Sequence, residues 1–247
     1  MSISISELSK IKRFYILGIG RSGTTLLVNT LNRHRNISAT PESVFAQFFY
    51  ASYRQKTSYT KNDIDAILDF IKTNEKLFPF IDWDFDYTFF STIEYPLQIN
   101  YDSLLNLIHL QFIPPEGRKK EIHYIIDKNP GNSLFGSDLL EINSSSKAII
   151  LVRDYRAYLL SLKEKKYWRS TSTVYNARRW QLFYIKLLKL NQQYPEKTLF
   201  IRYEDVVSNN EVVIKKIFDI LDIPFSKEIL TPTASTLTEE ELKEKYN

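Results

Sequence analysis

The stretch from residue 15 to residue 31, YILGIGRSGTTLLVNTL, constrains this chain most, because a short apolar run enters a loop bracketed by Gly18 and Gly23 and leaves with helical periodicity. A strand that turns through glycines into a helix offers backbone N–H groups and the positive end of the helix dipole to an anion. The loop has the length of the phosphate loops of ATP and GTP enzymes, which read G-x-x-x-x-G-K-[ST]. Here Gly23 is followed by Thr24 and Thr25, and the lysine that would reach the β- and γ-phosphates is absent. The loop is therefore expected to cradle a phosphate-like group without γ-phosphoryl chemistry.

Four runs rich in β-branched or aromatic residues, 14–19, 123–126, 147–152 and 198–202, read as buried strands, and each precedes a segment of helical periodicity. The order βα, insertion, βα, βα, βα predicts an α/β fold of the three-layer P-loop type, a central parallel sheet between helices. At 247 residues one domain over 1–247 suffices. Within it, 44–120 is read as a mostly helical, aromatic-rich insertion that shapes the acceptor side, its aromatic clusters serving chiefly as core. Ligands collect at the carboxyl ends of parallel strands. Segments 18–25, 127–130, 153–156 and 203–205 all follow predicted strands and are expected to meet at one edge. Asn62 with Asp65 and Ser208 with Glu211 have the spacing of helix caps, and a short helix is expected at 239–245 of the polar tail.

Composition removes several chemistries. With no cysteine there is no disulfide, thiolate ligand or cysteine nucleophile, and three scattered histidines give no metal-site spacing. No apolar run approaches about 20 residues and the start lacks the apolar core of a signal peptide, so a cytoplasmic protein without a transmembrane segment is expected. A net charge of +4 argues against a nucleic-acid partner and leaves room for a local pocket suited to a small polyanion.

A second segment, AIILVRDYRAYLLSL, ends a strand at Arg153 and places Ser161 about two helical turns on. An arginine fork with a hydroxyl suits a second phosphate, although an isolated arginine could also pair with Asp154. With GRSGTTLL, DKNP, LVRDYRAYLLS and RYEDV in this order and spacing, the chain resembles, over about residues 14–225, the sulfotransferases that use 3′-phosphoadenosine 5′-phosphosulfate (PAPS). It looks most like the branch holding the protein-tyrosine and many bacterial sulfotransferases, because a helix running to Leu31 and His34 is followed by Glu42.

The resemblance implies that Arg21, Ser22, Gly23, Thr24 and Thr25 bind the 5′-phosphosulfate, that Arg153 with Ser161 binds the 3′-phosphate, and that Tyr203 contacts the nucleotide, with no metal required. Lys128 stands where the cytosolic sulfotransferases carry a histidine, so the base falls by resemblance to Glu42. Lys128 and Arg21 then become cations that steady the sulfuryl group and the leaving phosphate. Glu42, following Pro41, could instead cap a helix starting near Ser43. His34, His109 and His123 are rival bases, of which His34 reads as solvated near a helix end and His123 as the start of a strand. The 163–180 run could shape the acceptor entrance, sit over adenine, or form a solvated helix face.

The basic, glycine-rich closing loop of many members is missing from 229–247. Lys243 or Lys245, or a second copy in a homodimer, could take its place. The acceptor is a hydroxyl on a small molecule, glycan, lipid or peptide. Two other readings stay open: a P-loop small-molecule kinase, which would need the loop lysine and magnesium ligands, and a catalytically silent nucleotide-binding protein, for which Glu42 and Lys128 would be dispensable.

Overall fold

The computed structural model describes residues 5–40, 42, 45–74, 84–114, 117–164 and 172–230. Its strands are β1 (Lys12–Leu17), β2 (Ile37–Ala39), β3 (Asp84–Phe85), β4 (Phe112–Ile113), β5 (Tyr124–Lys128), β6 (Lys147–Val152) and β7 (Thr198–Arg202). A mostly parallel five-stranded sheet runs in the order β2-β5-β1-β6-β7, and the strands alternate with helices along the chain, as expected of the α/β class. Two compact units are distinguishable, Met1–Tyr15 with Arg35–Lys147, and Ile16–His34 with Ala148–Asn247, so β1 contributes residues to both.

In the first unit β2 pairs parallel with β5, Ile37 opposite Tyr124 and Ala39 opposite Ile126. Three residues with one serine carry no readable strand pattern, and β2 was not expected; it forms because the neighbouring strand offers its backbone groups. The insertion holds helices at Lys61–Asn74 and Tyr101–Leu110 and an antiparallel ribbon of β3 and β4. All ten residues of Tyr101–Leu110 are buried, its leucines and isoleucine as core and its Asp102, Asn106 and His109 in polar contacts. Among the described residues of the aromatic clusters, Phe45, Phe49, Tyr53 and Phe90 are buried while Phe48 is exposed; Phe45 stacks on Phe112 at 5.8 Å, and Phe85 meets Phe112 edge-on at 4.8 Å.

Thr60, rather than Asn62, caps Lys61–Asn74. Its hydroxyl accepts from Asp63 N at 3.3 Å while the Asp63 carboxylate accepts from Thr60 N at 3.0 Å, a reciprocal box two residues upstream of the expected one.

In the second unit β6 pairs parallel with the full length of β7, Ala148 opposite Thr198 through Val152 opposite Arg202, and both strands have the boundaries read from sequence. Helices follow at Thr24–Leu31, Tyr155–Glu164, Thr173–Gln193, Tyr203–Ser208 and Asn210–Leu221. Ser208 ends one helix instead of capping the next: the break falls at Asn209, and Glu211 pairs with Lys215 one turn on. His34 is buried, its ring 5.6 Å from Phe218, so the solvated role expected for it is corrected. The start near Ser43 of the helix that Glu42 could cap, residues 165–171 of the basic aromatic run, and the tail with Lys243 and Lys245 lie outside the described residues.

Candidate active site

The glycine loop belongs to the second unit and is shaped by its two glycines. A Cβ on Gly18 would lie 2.7 Å from the Leu151 carbonyl oxygen, so only glycine lets the loop approach β6 this closely. Gly23 has φ +92°, and a Cβ there would fall 2.2 Å from Cδ2 of Tyr203. The Tyr203 ring therefore lies flush against the turn that opens the helix Thr24–Leu31. Arg21 also adopts a left-handed backbone, φ 72°, a conformation costly for a side chain with a Cβ and concentrated at functional turns.

Two arginines converge on this loop. Arg21 Nε donates to Ser161 Oγ at 3.1 Å. Arg153 Nη1 donates to the Arg21 carbonyl at 3.3 Å, and its guanidinium carbon stands 4.5 Å above the Tyr203 ring. Asp154 does not neutralise Arg153. It pairs with Arg156, whose guanidinium and backbone N–H hold the Asp154 carboxyl down to about 2. Trp180 Nε1 fixes the Arg153 carbonyl at 3.0 Å, and Glu204 accepts from Asp154 N at 3.0 Å, joining the third and fourth motifs. Glu204 was given no role from sequence, although an acid inside the RYEDV motif, two residues after a strand end, was the available signal.

The donor set suits a polyanion. Arg153 Nε is buried without a hydrogen-bond partner, Ser22 and Thr24 are buried beside the loop, and the first N–H groups of an α-helix have no partner within it. Ser161, paired with Arg153 in the expectation, is held instead by Arg21, so three expected nucleotide contacts form one connected cluster. Among the described residues no group of three or more histidine, aspartate or glutamate side chains could hold a metal ion, and no helix is long and apolar enough to cross a membrane.

The first unit carries the other predicted pair. Lys128, the last residue of β5, is buried, and its Nζ donates to Oε1 of the half-exposed Glu42. Behind Lys128 lies a buried charge cluster that sequence reading missed. Arg13, in β1, donates to His109 Nδ1 and to Asn106 Oδ1, both at 2.7 Å, and sits 3.6 Å from Asp127 and 3.7 Å from Asp102. Burial and the neighbouring Arg13 push His109 well below the usual imidazole range, so it is a neutral acceptor sealed from solvent, unsuited to serve as base. His123, exposed, pairs with Glu121 at 2.9 Å.

Burial lifts Asp127 to about 6 against the opposing pull of Arg13, Asn132 and Lys128. An unfolded aspartate titrates near ~3.9, so between about pH 4 and 6 the folded chain binds a proton that the unfolded chain has lost. The stability Asp127 contributes is complete below that window and is lost as pH rises through 6. Parent and Asp127→Asn should accordingly diverge, the parent losing on the order of 2 kcal/mol relative to the variant between pH 4 and 7 in urea unfolding. Parallel curves for the two proteins would refute the assignment.

A family model described as the Sulfotransferase family matches residues 13–227. No curated protein sequence matches the chain. Solved structures share its fold. The sulfotransferase domain from the curacin biosynthetic pathway is 20% identical, with TM-score 0.57, over 91% of this chain and 78% of the other. That from the Synechococcus PCC 7002 olefin synthase is 18% identical, with TM-score 0.59, over 96% and 82%. A sulfotransferase from Alicyclobacillus acidocaldarius is 14% identical, with TM-score 0.53, over 95% and 89%.

Proposed function

Because the chain belongs to the sulfotransferase family, we propose that it moves the sulfuryl group of PAPS to the hydroxyl of an acceptor, with Glu42 as the base. The observation that carries the choice of nucleotide is the Arg21–Ser161 bond beside Arg153, set in a glycine loop with no lysine. A triphosphate enzyme needs the lysine; a nucleotide phosphorylated at both 5′ and 3′ positions needs two separate anion contacts. Ser22, Gly23, Thr24 and Thr25 take the 5′ side, Arg153 and Ser161 the 3′ side, and Arg21 links the two through Ser161. Tyr203 is the wall beneath Arg153.

Bound there, PAPS supplies the sulfuryl group and departs as 3′-phosphoadenosine 5′-phosphate (PAP). The acceptor oxygen gains the bond to sulfur as the bond from sulfur to the 5′-phosphate oxygen breaks, and the acceptor proton passes to Glu42. Lys128 orients that carboxylate and, with Arg21, offsets the charge gathering on the transferred and leaving groups.

PAP at about 100 times its Kd is expected to raise the melting temperature by roughly 5–10 °C, from ~2.7 kcal/mol of linkage. ATP with magnesium should raise it far less. Equal shifts, or none with PAP, would overturn the nucleotide assignment.

A further inference from the structure

Among the described residues of the first unit, three large apolar side chains are exposed: Phe48, Leu134 and Phe135, at 60%, 43% and 42% of their full surface. Every other exposed large apolar residue described belongs to the second unit. Chance would scatter three such residues over a unit whose other described large apolar side chains are buried or half-buried. Instead they lie on the two segments that leave the Glu42–Lys128 pair. The helix Phe45–Phe48 starts just after Glu42, and the 3₁₀ helix Pro130–Leu134, with Phe135 following it, starts just after Lys128.

The two segments are fastened together twice. Lys128 donates to Glu42, and Gln47 Nε2 donates to Asn132 Oδ1. A Cβ on Gly131 would stand 3.4 Å from the Gln47 amide, an ordinary van der Waals distance, so the turn and the helix lie side by side. Phe48 is held in place, its ring 4.1 Å from that of Phe70 and 5.0 Å from that of Phe49. The polar groups nearby are committed inward. Asn132 Nδ2 donates to Asp127 at 3.1 Å, and Asn129 Oδ1 accepts from Gly131 N at 2.7 Å. What these segments turn outward is therefore chiefly apolar.

We propose that Phe48, Leu134 and Phe135 seat the acceptor, and that the acceptor carries its hydroxyl on an apolar body, alkyl or aryl, rather than on a free sugar. Covering exposed rings and branched carbons with an alkyl or aryl group is favourable in proportion to area. Placing a polyhydroxylated surface against them strips water from hydroxyls that find no partner. The inference rests on Glu42 and Lys128 being the reacting pair.

The test is a series of primary alkanols from butanol to decanol, with glucose alongside, assayed with labelled PAPS. In the parent, kcat/KM should climb about 2- to 4-fold per methylene over the shorter members and exceed that of glucose throughout. Phe48→Ser, and the double variant Leu134→Ser with Phe135→Ser, should flatten the climb while keeping the PAP-induced rise in melting temperature. That retained rise reports an intact nucleotide site and a folded chain. A flat series in the parent, glucose as good an acceptor as decanol, or an undiminished climb in both variants overturns the acceptor seat while leaving the family chemistry standing. An undiminished climb accompanied by a change of sedimentation mass also overturns it and marks the patch as a contact between two copies of the chain. Absence of any PAP effect on the parent instead overturns the nucleotide assignment beneath it.

Discussion

The Glu42→Gln protein is expected to transfer sulfate about 10²–10⁴-fold more slowly than the parent, the usual contribution of a positioned proton acceptor. Glutamine keeps an oxygen for Lys128 to donate to, so the buried ammonium at the end of β5 is not stranded, and only the capacity to take a proton is removed. The PAP-induced rise in melting temperature should stay within experimental error of the parent's, because the proposed cradle draws on Arg21, Ser161, Arg153 and Tyr203 and not on Glu42. A kcat that survives the substitution would exclude Glu42 as the base. Loss of PAP binding together with kcat would show that Glu42 supports the nucleotide instead.

The Gly23→Ala protein should lose nucleotide affinity by roughly 10- to 100-fold, with a fall of several degrees in melting temperature, from strain of about 1–3 kcal/mol. Two effects add at this position. The backbone sits at φ +92°, unfavourable for any residue with a Cβ, and the new methyl would overlap the Tyr203 ring. Because Arg153 rests over that ring, pushing it aside also displaces the guanidinium assigned to the 3′-phosphate. Adding Tyr203→Ala should relieve the overlap but not the backbone strain, so the double variant should recover part of the lost melting temperature. PAP titration of Gly23→Ala indistinguishable from the parent would refute the cradle.

Much of the second unit was legible because its signals are local. β6 and β7 are continuous apolar runs with polar ends, and the loop announces itself through Gly18, Gly23 and two threonines. Arg153 was readable as a site residue since a buried strand seldom runs into an arginine by accident, although its partner was not. Nothing in the sequence says that Arg21 will turn through a left-handed backbone to take Ser161.

In the first unit the decisive contacts are long-range. His109 and Asp127 looked like a stray histidine and part of a loop motif; only folding brings them to Arg13. The acceptor side was opaque for a related reason, since burial of Phe45 and exposure of Phe48, three residues apart on one short helix, depend on what else packs there.

Arg13 also bears on how the chain is made. Its partners Asn106 and His109 lie 93 and 96 residues further along, so during synthesis at about 5–20 residues per second β1 leaves the ribosome on the order of 5–20 s before the side chains that enclose it. Through that interval FYILGI is an apolar run with unpaired backbone, of the kind that pairs with whatever edge it meets. A hydrated guanidinium at its head opposes such pairing until the later residues arrive. The same charge that is costly to bury in the finished protein thus guards the nascent one.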